Sequence, residues 1–120
     1  EVSSLKPLPD LAITSIKINP EHHILGEKTK VMVKFKNLGD LGTPYSISFG
    51  VEYPSGWGWG GGTAPDPDNP LEPGEVGRFK FNFKNTESGI YIITVTIHSQ
   101  LGDSNLENNQ VVEKIEVYLP

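Results

Sequence analysis

Apolar and polar residues alternate along several stretches of the chain, which is the pattern of half-buried β-strands. The clearest lies at 29–36, where Thr, Val, Val and Phe take the odd positions and Lys or Met the even ones. Similar alternation covers 45–53 and 75–83, and a dense apolar, β-branched stretch runs over 90–99. We predict a strand in each. The last should lie in the centre of a sheet, because apolar residues occupy both of its faces.

Weaker patterns predict the first and last strands. Apolar residues in 11–18 change parity between Ile13 and Ile16, which indicates a bulge or a strand that crosses between sheets. In the last strand, 110–119, Glu113 interrupts the apolar positions, so we expect it near an edge or bulge. No stretch has the 3.6-residue period and caps of an ordinary helix. Six or seven strands joined by turns predict an all-β, two-sheet antiparallel β-sandwich.

The length of 120 residues suits one domain. We expect a proline-containing linker at 1–8 and the β-sandwich domain at 9–120. Within the domain, residues 54–74 are rich in Gly, Pro and Trp and lack a periodic apolar pattern. They predict a long inserted loop, and such loops are often functional. Because the sequence does not begin with Met, we expect it to be a segment of a longer protein.

Charge and composition exclude several functions. The net charge of −5 argues against a polyanion-binding surface, and lysines that alternate along a strand are typical of a solvated sheet face. We therefore predict no nucleic-acid partner. No stretch reaches membrane-spanning length, which predicts no direct membrane insertion. Without cysteine there is no disulfide, thiolate nucleophile or cysteine metal site.

Six short motifs follow one another along the chain: Pro9-Asp10-Leu11, Gly26-Glu27, Val33-Lys34-Phe35-Lys36-Asn37-Leu38-Gly39, Leu71-Glu72-Pro73-Gly74-Glu75, Ser88-Gly89-Ile90-Tyr91 and Asp103-Ser104-Asn105-Leu106-Glu107-Asn108-Asn109. Together they resemble the CARDB family, the cell-adhesion-related domains of bacteria and archaea. Their order and spacing extend the resemblance over nearly the whole chain from Pro9 to Val117. The resemblance implies an immunoglobulin-like sandwich of about seven strands that serves as a non-catalytic accessory module, extracellular or on the cell surface, within a larger secreted or anchored protein. Residues 54–70 depart from the family, whose members usually connect these strands by a shorter segment.

Trp57 and Trp59, separated by one glycine, are the leading candidates for a contact site. Exposed indole rings could stack on sugars, enter a groove of a protein partner or pack on a neighbouring domain. Alternatively, one or both rings fold back and cover an open end of the sandwich. Tyr53, and less directly Tyr45, would join the two tryptophans if the chain were a carbohydrate-binding module of a secreted hydrolase. That is the main alternative to an adhesion or spacer module.

Oxygen-bearing side chains recur at Asp103, Asn105 and Glu107, and calcium is the cation that such ligands suit. The segment lacks the glycine and closing acid of a helical calcium loop. Turn-forming Asx side chains are the competing explanation. Calcium is therefore the only cofactor that the sequence suggests, at this site and more weakly at Asp66, Asp68 and Asn69.

Catalytic motifs are missing from the sequence. It has no nucleophilic serine elbow, no dinucleotide-binding glycine pattern and no phosphate-loop lysine. We predict that the chain is not an enzyme, although it could support a catalytic neighbour such as a peptidase. Tyr91, two residues after Gly89, has the position of a corner tyrosine whose hydroxyl bonds upstream backbone.

Overall fold

The computed structural model describes residues 8–19, 22–101 and 109–120. These residues form eight β-strands, and they contain no helix that is long and apolar enough to cross a membrane. The strands are β1 (Leu11–Asn19), β2 (His23–Ile24), β3 (Lys28–Asn37), β4 (Tyr45–Glu52), β5 (Gly58–Gly62), β6 (Val76–Lys84), β7 (Gly89–Ser99) and β8 (Gln110–Tyr118).

Two sheets face each other. One has the strand order β1-β3-β6 and the other β2-β8-β7-β4-β5. Neighbouring strands are antiparallel, except that β2 runs parallel to β8. The chain is thus an all-β, immunoglobulin-like sandwich, as the alternating pattern and the family resemblance predict.

The core lies between the sheets and is built from the predicted inward positions. Odd-numbered residues of β3 from Thr29 to Phe35, and of β7 from Tyr91 to Ile97, are at most 1% exposed. Each fully buried apolar side chain contributes about 2 kcal/mol. β7 lies between β8 and β4, so its predicted central place is confirmed. Its outer face is less covered than the sequence indicates, since Ile90 is 47% exposed.

Irregular positions in β1 and β8 lie where the sequence predicts them. β1 pairs with β3 along its length, with a register shift between Ile13 and Ser15, so the parity change marks a bulge and not a change of sheet. Glu113 is half-buried and lies opposite Ile93. On the other side of β8, pairing in the described residues is limited to Val117 and Tyr118, which places Glu113 at an edge, without a bulge.

Buried asparagines tie the loops together at the two ends of the sandwich. At the end of β3, the Asn37 Oδ1 atom accepts hydrogen bonds from the backbone N–H groups of Asp10 (3.1 Å) and Gly39 (2.9 Å). Its Nδ2 atom donates to the carbonyls of Leu41 (2.8 Å) and Leu71 (2.9 Å). One side chain therefore joins the entry to β1, the β3–β4 connection and the segment before β6.

At the opposite end, Asn85 has the matching role. Its Oδ1 atom accepts the Thr29 hydroxyl at 2.9 Å, and its Nδ2 atom donates to the Ile24 carbonyl at 3.1 Å. The Thr29 oxygen also lies 3.3 Å from Nδ1 of buried His23. Since the hydroxyl proton is given to Asn85, the His23 ring donates from Nδ1.

The range predicted as one loop, 54–74, contains strand β5, and the connection before β3 contains the two-residue strand β2. Neither has a sequence pattern of its own. Four of the five residues of β5 are glycine, which is depleted in strands because it has no side chain to pack.

Candidate aromatic contact site

A tight turn after β4 positions the two tryptophans. The Gly56 N–H donates to the Tyr53 carbonyl at 2.8 Å, and the Tyr53 N–H donates to the Trp57 carbonyl at 2.7 Å. Gly56 has φ of 92°, a left-handed conformation that glycine adopts without strain. The chain reverses here, and β5 returns antiparallel along β4.

The turn is also fastened to the connection between β6 and β7. The backbone N–H and the hydroxyl of Ser55 each donate to the Glu87 carboxylate at 2.9 Å. The backbone of Glu87 is held in turn by Tyr91, whose hydroxyl donates to the Glu87 carbonyl at 2.7 Å and accepts from its N–H at 2.9 Å. The prediction of a corner tyrosine is confirmed. Burial raises the pKa of the Tyr91 hydroxyl, since it disfavours the phenolate.

Glycine allows β5 to lie against β4. A methyl group at Gly60 would overlap the carbonyl oxygen of Phe49, and one at Gly58 would lie 2.7 Å from that of Val51. Real side chains do not make such contacts, so any larger residue would push the two strands apart. The glycines on either side of Trp59 therefore determine where its ring goes.

Trp59 folds back onto the open side of the sandwich. It lies opposite Val51 in the ladder, so it shares the inward face of the sheet. Its ring meets Phe49 edge-on at 5.5 Å, and its Nε1 donates to the Tyr53 hydroxyl at 2.9 Å. Phe49 itself stacks on Phe81 of the other sheet at 4.0 Å. Trp59 is 37% exposed and extends this inter-sheet aromatic packing.

Trp57, by contrast, is exposed. Its side chain is 61% accessible and touches Tyr53, with ring centroids 5.2 Å apart at an angle of 68°. Tyr53 is 7% exposed and packs against Tyr91 at 5.0 Å, so a line of rings joins the surface indole to the core. We call Tyr53, Trp57 and Trp59 the aromatic edge. Of its members, Trp57 presents most of its ring to solvent, Trp59 part of it, and Tyr53 supports both.

A shallow depression of about 560 Å³ adjoins the aromatic edge on the outer side of the sheet. Glycines of β4 and β5 leave it open, because no side chain stands above them. Glu52 and Thr94 supply its polar groups and Ile92 supplies apolar surface; Trp59 also borders it, although its ring packs inward on Phe49. A depression of this size can accommodate a small polar ligand such as one or two sugar rings.

The other candidate residues lie away from this edge or have structural roles. Tyr45 begins β4 at the far end of the strand and packs on Phe35 at 5.2 Å. The Asp66 carboxylate accepts hydrogen bonds from the Asp68 N–H and the Asn69 side chain, both at 2.9 Å. These bonds lower the pKa of Asp66 and close a turn.

The predicted calcium site falls outside the described part of the chain. Asp103, Asn105 and Glu107 all belong to the 102–108 segment, about which the structure says nothing. Among the residues that are described, no group of three or more His, Asp or Glu side chains could hold a metal ion. His23 contacts Thr29 in the interior, whereas its neighbour His22 is exposed.

The sequence matches no protein-family model and no curated protein. Solved structures do match. The crystal structure of a CARDB domain from Pyrococcus furiosus, described as a complex with di-metal ions, superposes with a TM-score of 0.68. It is 25% identical, and the match covers 92% of this chain and 90% of that chain. This chain has the fold of a CARDB domain.

The solution structure of the Pyrococcus CARDB domain agrees more closely in shape. Its TM-score is 0.75 at 23% identity, over 93% of this chain and 97% of that one. β-Glucosidase 3B from Thermotoga neapolitana, in complex with α-D-glucose, matches at a TM-score of 0.59 and 15% identity, but over 16% of its own length. That similarity shows a shared fold alone. The CARDB similarity supports a non-enzymatic, adhesion-related domain in general terms.

Proposed function

We propose that this chain is a non-catalytic accessory module, extracellular or on the cell surface, that contacts a protein or glycan partner through the aromatic edge and spaces neighbouring domains of a larger chain. The observation that carries the proposal is the exposure of Trp57, 61% accessible on a turn held by hydrogen bonds. Burying an indole stabilises a fold by about 2 kcal/mol or more, so an exposed one on a fixed turn indicates a contact surface.

The division of work within the aromatic edge supports the same function. Trp59 is engaged by Phe49 and Tyr53, so its removal should affect stability. Trp57 adds one ring contact, to Tyr53, and little burial. A residue that is presented on a hydrogen-bonded turn and contributes little to the fold is well suited to bind a partner, because little backbone entropy remains to be lost.

A photo-crosslinker tests the role of Trp57 in the parent protein. We expect Trp57→p-benzoylphenylalanine to crosslink to one defined segment of an adjacent domain or bound protein. The same substitution at Tyr118, exposed on β8 and separated from β5 by β7 and β4, is the control and should give no crosslink at that segment. Crosslinks that are the same from both positions, or none from Trp57 together with no glycan binding, would show that the aromatic edge is not a contact site.

A carbohydrate-binding module of a secreted hydrolase is the second candidate, and the depression lined by Glu52, Ile92 and Thr94 beside the aromatic edge favours it. A glycan array tests it directly. Binding that Trp57→Ala and Trp59→Ala both weaken about tenfold or more, without loss of folding by circular dichroism, would establish this function. If no glycan on the array binds, the carbohydrate-binding function is ruled out, and the protein-contact function remains to be tested by crosslinking.

A further inference from the structure

Basic residues are concentrated on the outer face of the β1-β3-β6 sheet. Eight lysines and arginines lie on this face; seven of them are exposed, and Lys36 is half-buried. They account for eight of the ten lysines and arginines in the sequence. We call this set the basic face: Lys17, Lys28, Lys30, Lys34, Lys36, Arg78, Lys80 and Lys84.

The three strands that carry the basic face contain no Asp or Glu. Across the ladder, Lys34 lies opposite Arg78 and Lys28 opposite Lys84. Like charges directly opposite each other destabilise a sheet. In a chain with 15 acidic residues, such an arrangement separates the two signs instead of mixing them. Lys114, on β8, is the one lysine or arginine of the described residues that lies elsewhere.

Solubility and edge protection do not explain the basic face. Solubility is served by interspersed charges of both signs. Lysines that protect a sheet from edge-to-edge pairing belong on edge strands, yet four of the eight basic residues are on β3, the middle strand. The position of these four indicates a use for the face itself.

The shape of the basic face is long and narrow. Ten residues of β3 span roughly 30 Å, and three strands are about 10 Å wide. A shallow groove lies at its centre, and its lining residues include Met32, Lys17, Lys34, Arg78 and Lys80. A face of these dimensions is better suited to bind one extended polymer chain than to bind a broad, flat surface of a partner.

We propose that the basic face binds a linear anionic polysaccharide, with its carboxylate or sulfate groups paired to the lysines. Lysine ammonium groups are mobile point charges that suit a flexible polyanion of variable geometry. A folded protein partner is less suited, since lysine is depleted in the centres of protein interfaces and Met32 and Val76 are the large apolar side chains exposed on this face. Nucleic acid is also less suited, because Phe79, the aromatic residue that lines the groove, packs its ring on Phe49 and Phe81 instead of presenting it for base stacking.

Binding to carboxymethyl dextran, with unmodified dextran of the same length as reference, tests the proposal on the chain as it stands. We expect binding to the carboxylated polymer alone, weakening as salt rises from 50 to about 300 mM because the contacts are electrostatic. Lys34→Glu should weaken binding about tenfold, as one attractive charge becomes repulsive.

The matched control is Lys114→Glu, which makes the same change in net charge on the opposite sheet. It should change binding by less than about twofold at 0.15 M salt, since it lies beyond the screening length. Both variants should keep the wild-type melting temperature, because both positions are exposed. Equal losses in the two variants, no binding by the wild type, or tighter binding to a DNA duplex or to anionic lipid vesicles would each overturn the proposal.

Discussion

At the scale of single residues, the fold depends on a few buried polar side chains whose hydrogen bonds are all made inside the protein. Tyr91 and Asn37 are both 0% exposed, and each bonds the backbone of a connection between strands. Tyr91 could be predicted, because a tyrosine just after a glycine at the start of a central strand has a known structural use. Asn37 could not, because its four partners come together only when three separate loops meet.

Removing the Tyr91 hydroxyl tests the corner directly. Tyr91→Phe should lower the free energy of unfolding by about 1–2 kcal/mol, because Glu87 loses a donor to its carbonyl and an acceptor for its N–H. Urea denaturation measures the change. Tyr118→Phe removes an exposed hydroxyl 3.3 Å from Glu116 and should change stability by less than about 0.5 kcal/mol. An unchanged midpoint for Tyr91→Phe would contradict the role of the corner.

At the scale of elements, β5 shows where sequence patterns lose their information. Alternation identifies β3, β4, β6 and β7 because their inward side chains are large and apolar. β5 is a strand because its glycine backbone approaches β4 closely, and this approach depends on a partner that the local sequence does not specify. For the same reason, the sequence identifies both tryptophans but not which of them is the more exposed.

Two glycines that face each other across β4 and β5 give a matched test. Gly60→Ala should separate the strands, since its methyl group would overlap the Phe49 carbonyl, and should destabilise by about 1–3 kcal/mol. Trp59 would lose its contact with Phe49, so tryptophan emission should shift to longer wavelength and become more accessible to acrylamide.

Gly50→Ala is the control for that substitution. Gly50 pairs with Gly60 in the ladder, but a methyl group there has nothing within 4 Å. The emission spectrum and melting temperature of Gly50→Ala should stay within error of the wild type. If the two variants behave alike, the close approach of β5 to β4 does not set the position of Trp59.

At the scale of the whole molecule, the two sheets carry different surfaces. The β1-β3-β6 sheet is basic outside, and the larger sheet carries the aromatic edge along its β4–β5 side. A net charge of −5 averages over these surfaces and conceals the first of them. Composition therefore predicts the solubility of the chain better than it predicts which face meets a charged partner.

The end of the sandwich near β2 should be sensitive to acid. Burial, with a smaller contribution from the charge of His22, lowers the pKa of His23 below its usual 6.5. The unfolded chain therefore binds a proton more readily than the folded one, and stability falls as the pH drops from about 6.5 through the lowered pKa. Thermal melts between pH 7.5 and 5 measure this fall.

A substitution separates His23 from the other groups that titrate in this range. His23→Gln should reduce the pH dependence of the melting temperature, whereas His22→Gln, at an exposed position, should retain most of it. Equal pH dependence in wild type and His23→Gln would show that the acid sensitivity arises elsewhere.

The parallel pairing of β2 with β8 has a mechanical consequence. β1 begins at the end of the sandwich that holds Asn37, whereas β8 finishes at the opposite end, beside His23 and Ile24. Tension between Leu11 and Tyr118 would therefore run along the strands, and ladder hydrogen bonds lie across them. The bonds of β1 to β3 and of β2 to β8 would be loaded in shear and would share the force, instead of opening one after another. A domain built in this way resists stretching along its axis more than peeling from its side.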